Sequence, residues 1–184
     1  MILGIEQDVN ADDRTARFEQ TFLPHLDAAH NLARWLARNA HDAEDVVQEA
    51  YLRAFEHYDE FRGQSARAWL LTIVRNTCFS RLRRKAISDE SMEFDEQMHT
   101  PEHSSADPES LALKEATAVQ IGEALRDLPE EYREVIVLRE LEEMSYKEIA
   151  GIAGVPVGTV MSRLARGRER LRKSLSVAGT KTSP

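Results

Sequence analysis

Residues 144–172 read MSYKEIAGIAGVPVGTVMSRLARGRERLR, and this stretch decides how the rest of the chain is read. Ser145 stands three residues before Glu148. That spacing forms a capping box: the Ser145 hydroxyl accepts from the Glu148 amide, and the Glu148 carboxylate accepts from the Ser145 amide. Ile149, Ile152 and Ala153 then give a short apolar face. Gly154 suits a left-handed helix end, where a side chain would clash. Pro156 has no amide hydrogen to donate, so it fits the start of a second helix better than its interior. Val157, Val160, Leu164, Gly167 and Leu171 recur at helical spacing and are expected to face a core, with Gly167 allowing close packing. Thr159, Ser162, Arg163, Arg166 and Arg170 fall on another face. A charge run alone is usually a solvated face closing a bundle. Here cap, glycine turn, proline, stripe and arginine face agree in register, and together they predict a DNA-binding helix-turn-helix. Thr159 to Arg163 would reach base edges in the major groove, and the later arginines would meet phosphates.

That basic helix sits in an acidic chain. The 184 residues hold 24 Lys and Arg against 32 Asp and Glu, a formal charge of -8. Bulk electrostatics therefore will not hold nucleic acid, and contact must come from local patches. The lone cysteine, Cys78, excludes an internal disulfide and lies in an apolar helical pattern, as a core residue would. Zinc-ligand spacing, a nucleophile with a paired base and a glycine-rich phosphate loop are all missing from the sequence. His25, His30, His41, His57, His99 and His103 are scattered and read as surface residues. No enzyme, metal or cofactor is expected. There is no basic segment followed by an apolar run at the start, and no apolar run of membrane-spanning length. A cytoplasmic protein is the expectation.

Helical periodicity dominates, so the expected fold is all-α. Ser88 to Glu109 breaks the pattern: eight carboxylates, Pro101 and Pro108, and no Lys or Arg. By composition this is a flexible acidic linker, assigned to 88–111. It divides an N-terminal helical domain, 15–87, from a C-terminal one, 112–177. The C-terminal domain opens with a helix carrying Val119, Ile121, Ala124, Leu125 and Leu128. Pro129 starts the next, with Tyr132, Val135, Ile136 and Leu138 on its apolar face. In the N-terminal domain, Phe18 to Ala40 reads as one or two amphipathic helices with a kink or break at Pro24. Asp42 is expected to cap a helix running to about Tyr58. Leu52 and Phe55 widen its apolar arc beside Asp45, Gln48 and Glu49, a pattern equally suited to a docking surface and to ordinary packing. After the polar break at 61–65, a basic helix runs from about Ala66 to Lys85, with Trp69 turned inward. Two basic helices on a flexible tether would engage two sites on one duplex, the second contact gaining from effective concentration.

With these pieces in order, the chain resembles a bacterial extracytoplasmic-function (ECF) sigma factor, a two-domain specificity subunit of RNA polymerase. DAEDVVQEAYLRAF from Asp42 resembles sigma regions 2.1 to 2.2, and FRGQSARAWLLTIVRN from Phe61 resembles regions 2.3 to 2.4. LPEEYREVIVLR from Leu128, with the helix-turn-helix, resembles region 4. The resemblance implies that Asp45, Gln48, Glu49, Leu52 and Phe55 dock on the clamp helices of the polymerase largest subunit. It also implies a contact with the flap of the second-largest subunit. The loop and helix holding Arg62, Gly63, Gln64, Ser65, Arg67, Arg75, Asn76, Arg83 and Arg84 would meet the −10 element and capture a flipped base, whose lost stacking a polar pocket must offset. Val157, Gly158, Thr159, Ser162, Arg163, Arg166 and Arg170 would meet the −35 duplex. Anti-sigma control and a free monomer are also implied. An acidic linker near the RNA exit path would mimic nucleic acid. Residues 1–17 match nothing in the resemblance. The competing function is a stand-alone helix-turn-helix regulator, which would pair over half-sites without polymerase.

Overall fold

The computed structural model describes residues 3–37, 39–63, 65–88 and 118–180, and all regular structure among these residues is helical. Helix α1 (Leu3–Phe22) runs into a 3₁₀ turn (Leu23–His25), then α2 (Leu26–Ala37), α3 (Ala40–Glu56) and α4 (Ala66–Ser88). After the undescribed stretch come α5 (118–126), α6 (Glu130–Ile136), α7 (Tyr146–Ala153) and α8 (Val157–Thr180). The expected linker at 88–111 and the first residues of the second domain fall almost wholly outside the described residues.

Local chemistry sets the boundaries. Pro24 sits in the 3₁₀ turn that separates α1 from α2, as its missing amide requires. The α3 cap is Asn39 rather than the expected Asp42: Asn39 accepts from the Asp42 amide at 2.7 Å. Asn39 has extended backbone, which a cap needs, whereas Asp42 already lies in the first turn. The first turn still favours its carboxylate. Helix α1 begins at Leu3, well before the expected start of order at residue 15. In the second half, α6 does not continue as one helix through Leu138. It passes into a π turn over Val137–Leu141. The capping box at Ser145 and Glu148 is present, and Gly154 closes α7 at φ 67°, a conformation that disfavours any side chain.

Two packing units share one continuous apolar core. Leu32, Leu36, Val46, Ala50, Leu70 and Val74 bring α2, α3 and α4 together. Val135, Ile136, Leu138, Ile149, Val160 and Leu164 do the same for α6, α7 and α8. Gly167 lets α8 lie close on α6: a Cβ there would stand 3.0 Å from Ile136 Cγ1 and 3.4 Å from Tyr132 Cβ. The units then meet along α4 and α7 and along α2 and α6. The two units are thus closed onto one another. Trp69 packs inward as expected, 5.2 Å from Phe22 and 5.4 Å from Phe61 between ring centroids. Cys78 is buried in the same core.

Candidate nucleic-acid interface

Helix α8 emerges from the α7–Gly154 turn with its stripe down: Val160, Leu164 and Gly167 are buried. At 100° per residue, the opposite face carries Gly158, Met161, Ser162, Ala165 and Arg166, all exposed. Ser162 and Arg166 therefore point outward, as the sequence pattern leads one to expect. Thr159 is half-buried, and Arg163 and the exposed Arg170 lie on the α6 side instead. Arg163 is half-buried and close enough to Glu134 to favour its charged form. The Arg170 guanidinium lies 5.3 Å from the Tyr132 ring centroid. Val157 is 40% exposed and Met161 54%. Met161 is not among the DNA-facing residues expected from the sequence. Charge pattern singles out the arginines, whereas the burial pattern of the helix is what marks the open face.

The N-terminal loop and α4 are arranged differently. Arg62, Gly63, Ser65, Asn76, Arg83 and Arg84 are exposed, while Gln64 lies outside the described residues. Gly63 has φ 72°, and Ser65 Oγ accepts from the Ala68 amide at 3.2 Å, starting α4. Arg67 and Arg75, however, face the second unit. Arg75 Nε donates to Glu134 Oε1 at 2.6 Å, and the Glu134 side chain is only 2% exposed. Arg67 and Asn31 both donate to the Glu142 carboxylate, whose side chain is 5% exposed. Burial pushes the Glu134 carboxyl above its ordinary value, and the Arg75 hydrogen bond and charge only partly oppose this. Such a pair adds little net stability, yet losing one member leaves an uncompensated buried charge. Sequence reading misses both glutamates. Glu134 falls inside a helix that is buried around most of its circumference, so no polar face announces it.

The α3 face divides in the same way. Gln48 is exposed and Leu52 is 66% exposed, an unpartnered apolar residue among polar ones. Asp45 accepts from Arg81 at 2.7 Å, and Glu49 accepts from Arg53 at 2.5 Å and from Arg81 and Arg84 at 3.4 Å. These carboxylates therefore tie α3 to α4. Phe55 packs edge-on against Phe18 at 5.1 Å, under the Arg14 guanidinium. Its ring belongs to the aromatic cluster rather than to an open surface.

Residues 21–87 match the family Sigma-70 region 2, and residues 118–171 match Sigma-70, region 4. The RNA polymerase sigma-H factor of Pseudomonas aeruginosa is 35% identical over 187 residues, spanning 95% of this chain and 96% of that protein. The chain belongs to the ECF RNA polymerase sigma factors. It is also 34% identical over 160 residues to the ECF RNA polymerase sigma factor SigE of Mycolicibacterium smegmatis, covering 86% of this chain but 62% of that protein. Among solved structures, it resembles the sigma factor RpoE in complex with the anti-sigma factor NepR from Bartonella quintana. The TM-score is 0.73 at 31% identity, over 88% of this chain and 98% of that one. Within this sigma factor, the two matched segments coincide with the two packing units. No described helix is long and apolar enough to cross a membrane. Among the described residues, no cluster of His, Cys, Asp and Glu is suited to hold a metal.

Proposed function

We propose that this sigma factor binds core RNA polymerase and directs promoter-specific initiation in the cytoplasm, under the control of an anti-sigma factor. The carrying observation is that one chain holds both matched sigma regions, with α8 presenting an open, partly basic face. The working boundaries are 15–87 for the first domain, 88–111 for the linker and 112–177 for the second. Ser162 and Arg166 lead the −35 contact, since a hydroxyl serves several bases and a guanidinium pairs bidentately with guanine or holds a phosphate. Arg163 and Arg170 contribute positive charge from the flank. The −10 strand meets Arg62, Gly63, Ser65, Asn76, Arg83 and the neighbouring Gln64. Arg67 and Arg75 join them once the second unit has moved away. Gln48 and Leu52 form the open part of the polymerase-docking face, with Asp45 and Glu49 at its edge. The factor selects where the polymerase starts and performs no bond chemistry of its own.

Run-off transcription with purified bacterial core polymerase, with and without the protein, on genomic fragments tests this reading. Discrete starts that need the protein support it, and their alignment yields both promoter elements. Specific duplex binding by the protein alone, with no initiation, would overturn it in favour of a stand-alone regulator.

A further inference from the structure

Along α8, Val157, Met161 and Ala165 are spaced four residues apart and are all exposed. They form one apolar ridge at the start of the helix, where a groove-bound helix meets base edges. Around Met161 the outward neighbours are short: Gly158, Ser162 and Ala165. A Cβ at Gly158 would meet nothing within 4 Å. Met161 is therefore the longest side chain on this face before Arg166, and no other part of the described fold covers it. Its unbranched thioether adapts to the shape it meets. Arg166 lies beyond Ser162 on the same open face, whereas Arg163 and Arg170 lie across the helix, toward α6. An occupant must combine negative charge with a small apolar group set inside a groove. Duplex DNA does so at thymine, whose 5-methyl group projects into the major groove.

We propose that Met161 reads the 5-methyl group of a thymine in the −35 duplex and sets a thymine preference at one position there. The inference rests on the major-groove reading of α8 given above. Ser162 and Arg166 supply the polar contacts beside it, and Met161 adds a discrimination that they cannot make. Burying one methyl group against the thioether corresponds to about a fourfold change in promoter occupancy.

The test randomises the −35 region and recovers templates that initiate with core polymerase plus the full-length protein, comparing wild type with Met161→Ala. Alanine is a strong helix former at this exposed site, so the fold is retained. Thymine enrichment at one position with wild type, lost in the variant, is the expected result. Deoxyuridine then replaces thymine at that position, removing only the methyl. Wild type loses about fourfold in initiation and Met161→Ala loses nothing further. An equal loss in both proteins, or none in wild type, overturns the assignment and leaves the ridge to a protein partner. Absence of initiation by wild type on every template would instead break the sigma reading itself.

Discussion

The two basic helices of this sigma factor are held in opposite states. Helix α8 shows its Ser162 and Arg166 face to solvent, with its buried stripe satisfied within its own unit. Helix α4 has two of its arginines, Arg67 and Arg75, on buried carboxylates of the other unit. The same residue type thus does different work in the two regions. On α8 Arg166 is open to solvent, whereas on α4 Arg67 and Arg75 are held by Glu142 and Glu134 while Arg83 and Arg84 stay exposed. Helix α6 links the two states, since it carries Glu134 toward α4 and packs Ile136 against Gly167 of α8. In the proposed −10 contact, freeing Arg67 and Arg75 exposes Glu142 and Glu134 to water, and the approaching phosphates compete with these carboxylates for the two arginines.

The largest effect is expected where the closed side is broken from within. Arg75→Ala leaves Glu134 buried without its guanidinium and should cost about 3–5 kcal/mol in denaturant unfolding. Arg75→Met combined with Glu134→Gln should cost much less, because no lone charge remains. Equal losses in the two variants would show that packing, not charge, holds the contact. Next, Gly167→Ala forces Ile136 to move and should cost about 1–3 kcal/mol, read from the melting of the second unit. Because Ile136 lies on α6, amide exchange around Glu134 should also rise. If it does not, the two faces are mechanically independent.

On the open side, Arg166→Ala should leave the melting transition within about 0.5 kcal/mol of wild type. It should weaken −35 duplex binding by polymerase holoenzyme and lower the salt slope by about one if Arg166 meets a phosphate. A base-reading Arg166 would instead relax specificity at one position. The smallest effect concerns the α7 cap. Hydrogen bonds from the Ser145 side chain and amide hold Glu148 below its ordinary value of 4.5. A depressed carboxyl contributes stability above its unfolded value and loses it as pH falls through the folded one. The second unit should therefore weaken slightly below about pH 4.5, by less than ~1 kcal/mol because Glu148 is largely exposed. Glu148→Gln should remove that pH dependence from its melting curve.

What the sequence discloses follows from how local the governing interactions are. The capping box, the Gly154 turn and the Pro24 break depend on neighbours within a few residues, so they are legible. The α3 cap lies three residues before its expected place because Asn39 and Asp42 are both good caps, and only backbone geometry distinguishes them. The π turn at Val137–Leu141 carries no residue that forbids an α-helix, and nothing local signals it. The pattern leaves Phe55 open between docking and packing because its contact Phe18 lies 37 residues away, on a helix whose path periodicity cannot give. The roles of Glu134 and Glu142 belong to the same class, since they emerge only when the second unit closes on α4. The register of α8 is right for Val160, Leu164 and Gly167, but Val157, expected in the same stripe, is exposed because it stands in the first turn, and the outward side includes Met161 and leaves Arg163 and Arg170 toward α6.

Cys78 is 1% exposed, and burial, aided by the Glu130 charge, pushes its thiol up to about 12. At neutral pH it is a protonated thiol sealed between α3 and α4, and alkylating reagents need the thiolate and a path to it. As the chain's lone cysteine, it makes the wild-type protein its own clock. The rate at which a thiol reagent marks Cys78 measures how often the first unit breathes, with no label introduced. A polymerase or anti-sigma partner that braces α3 against α4 will slow that clock.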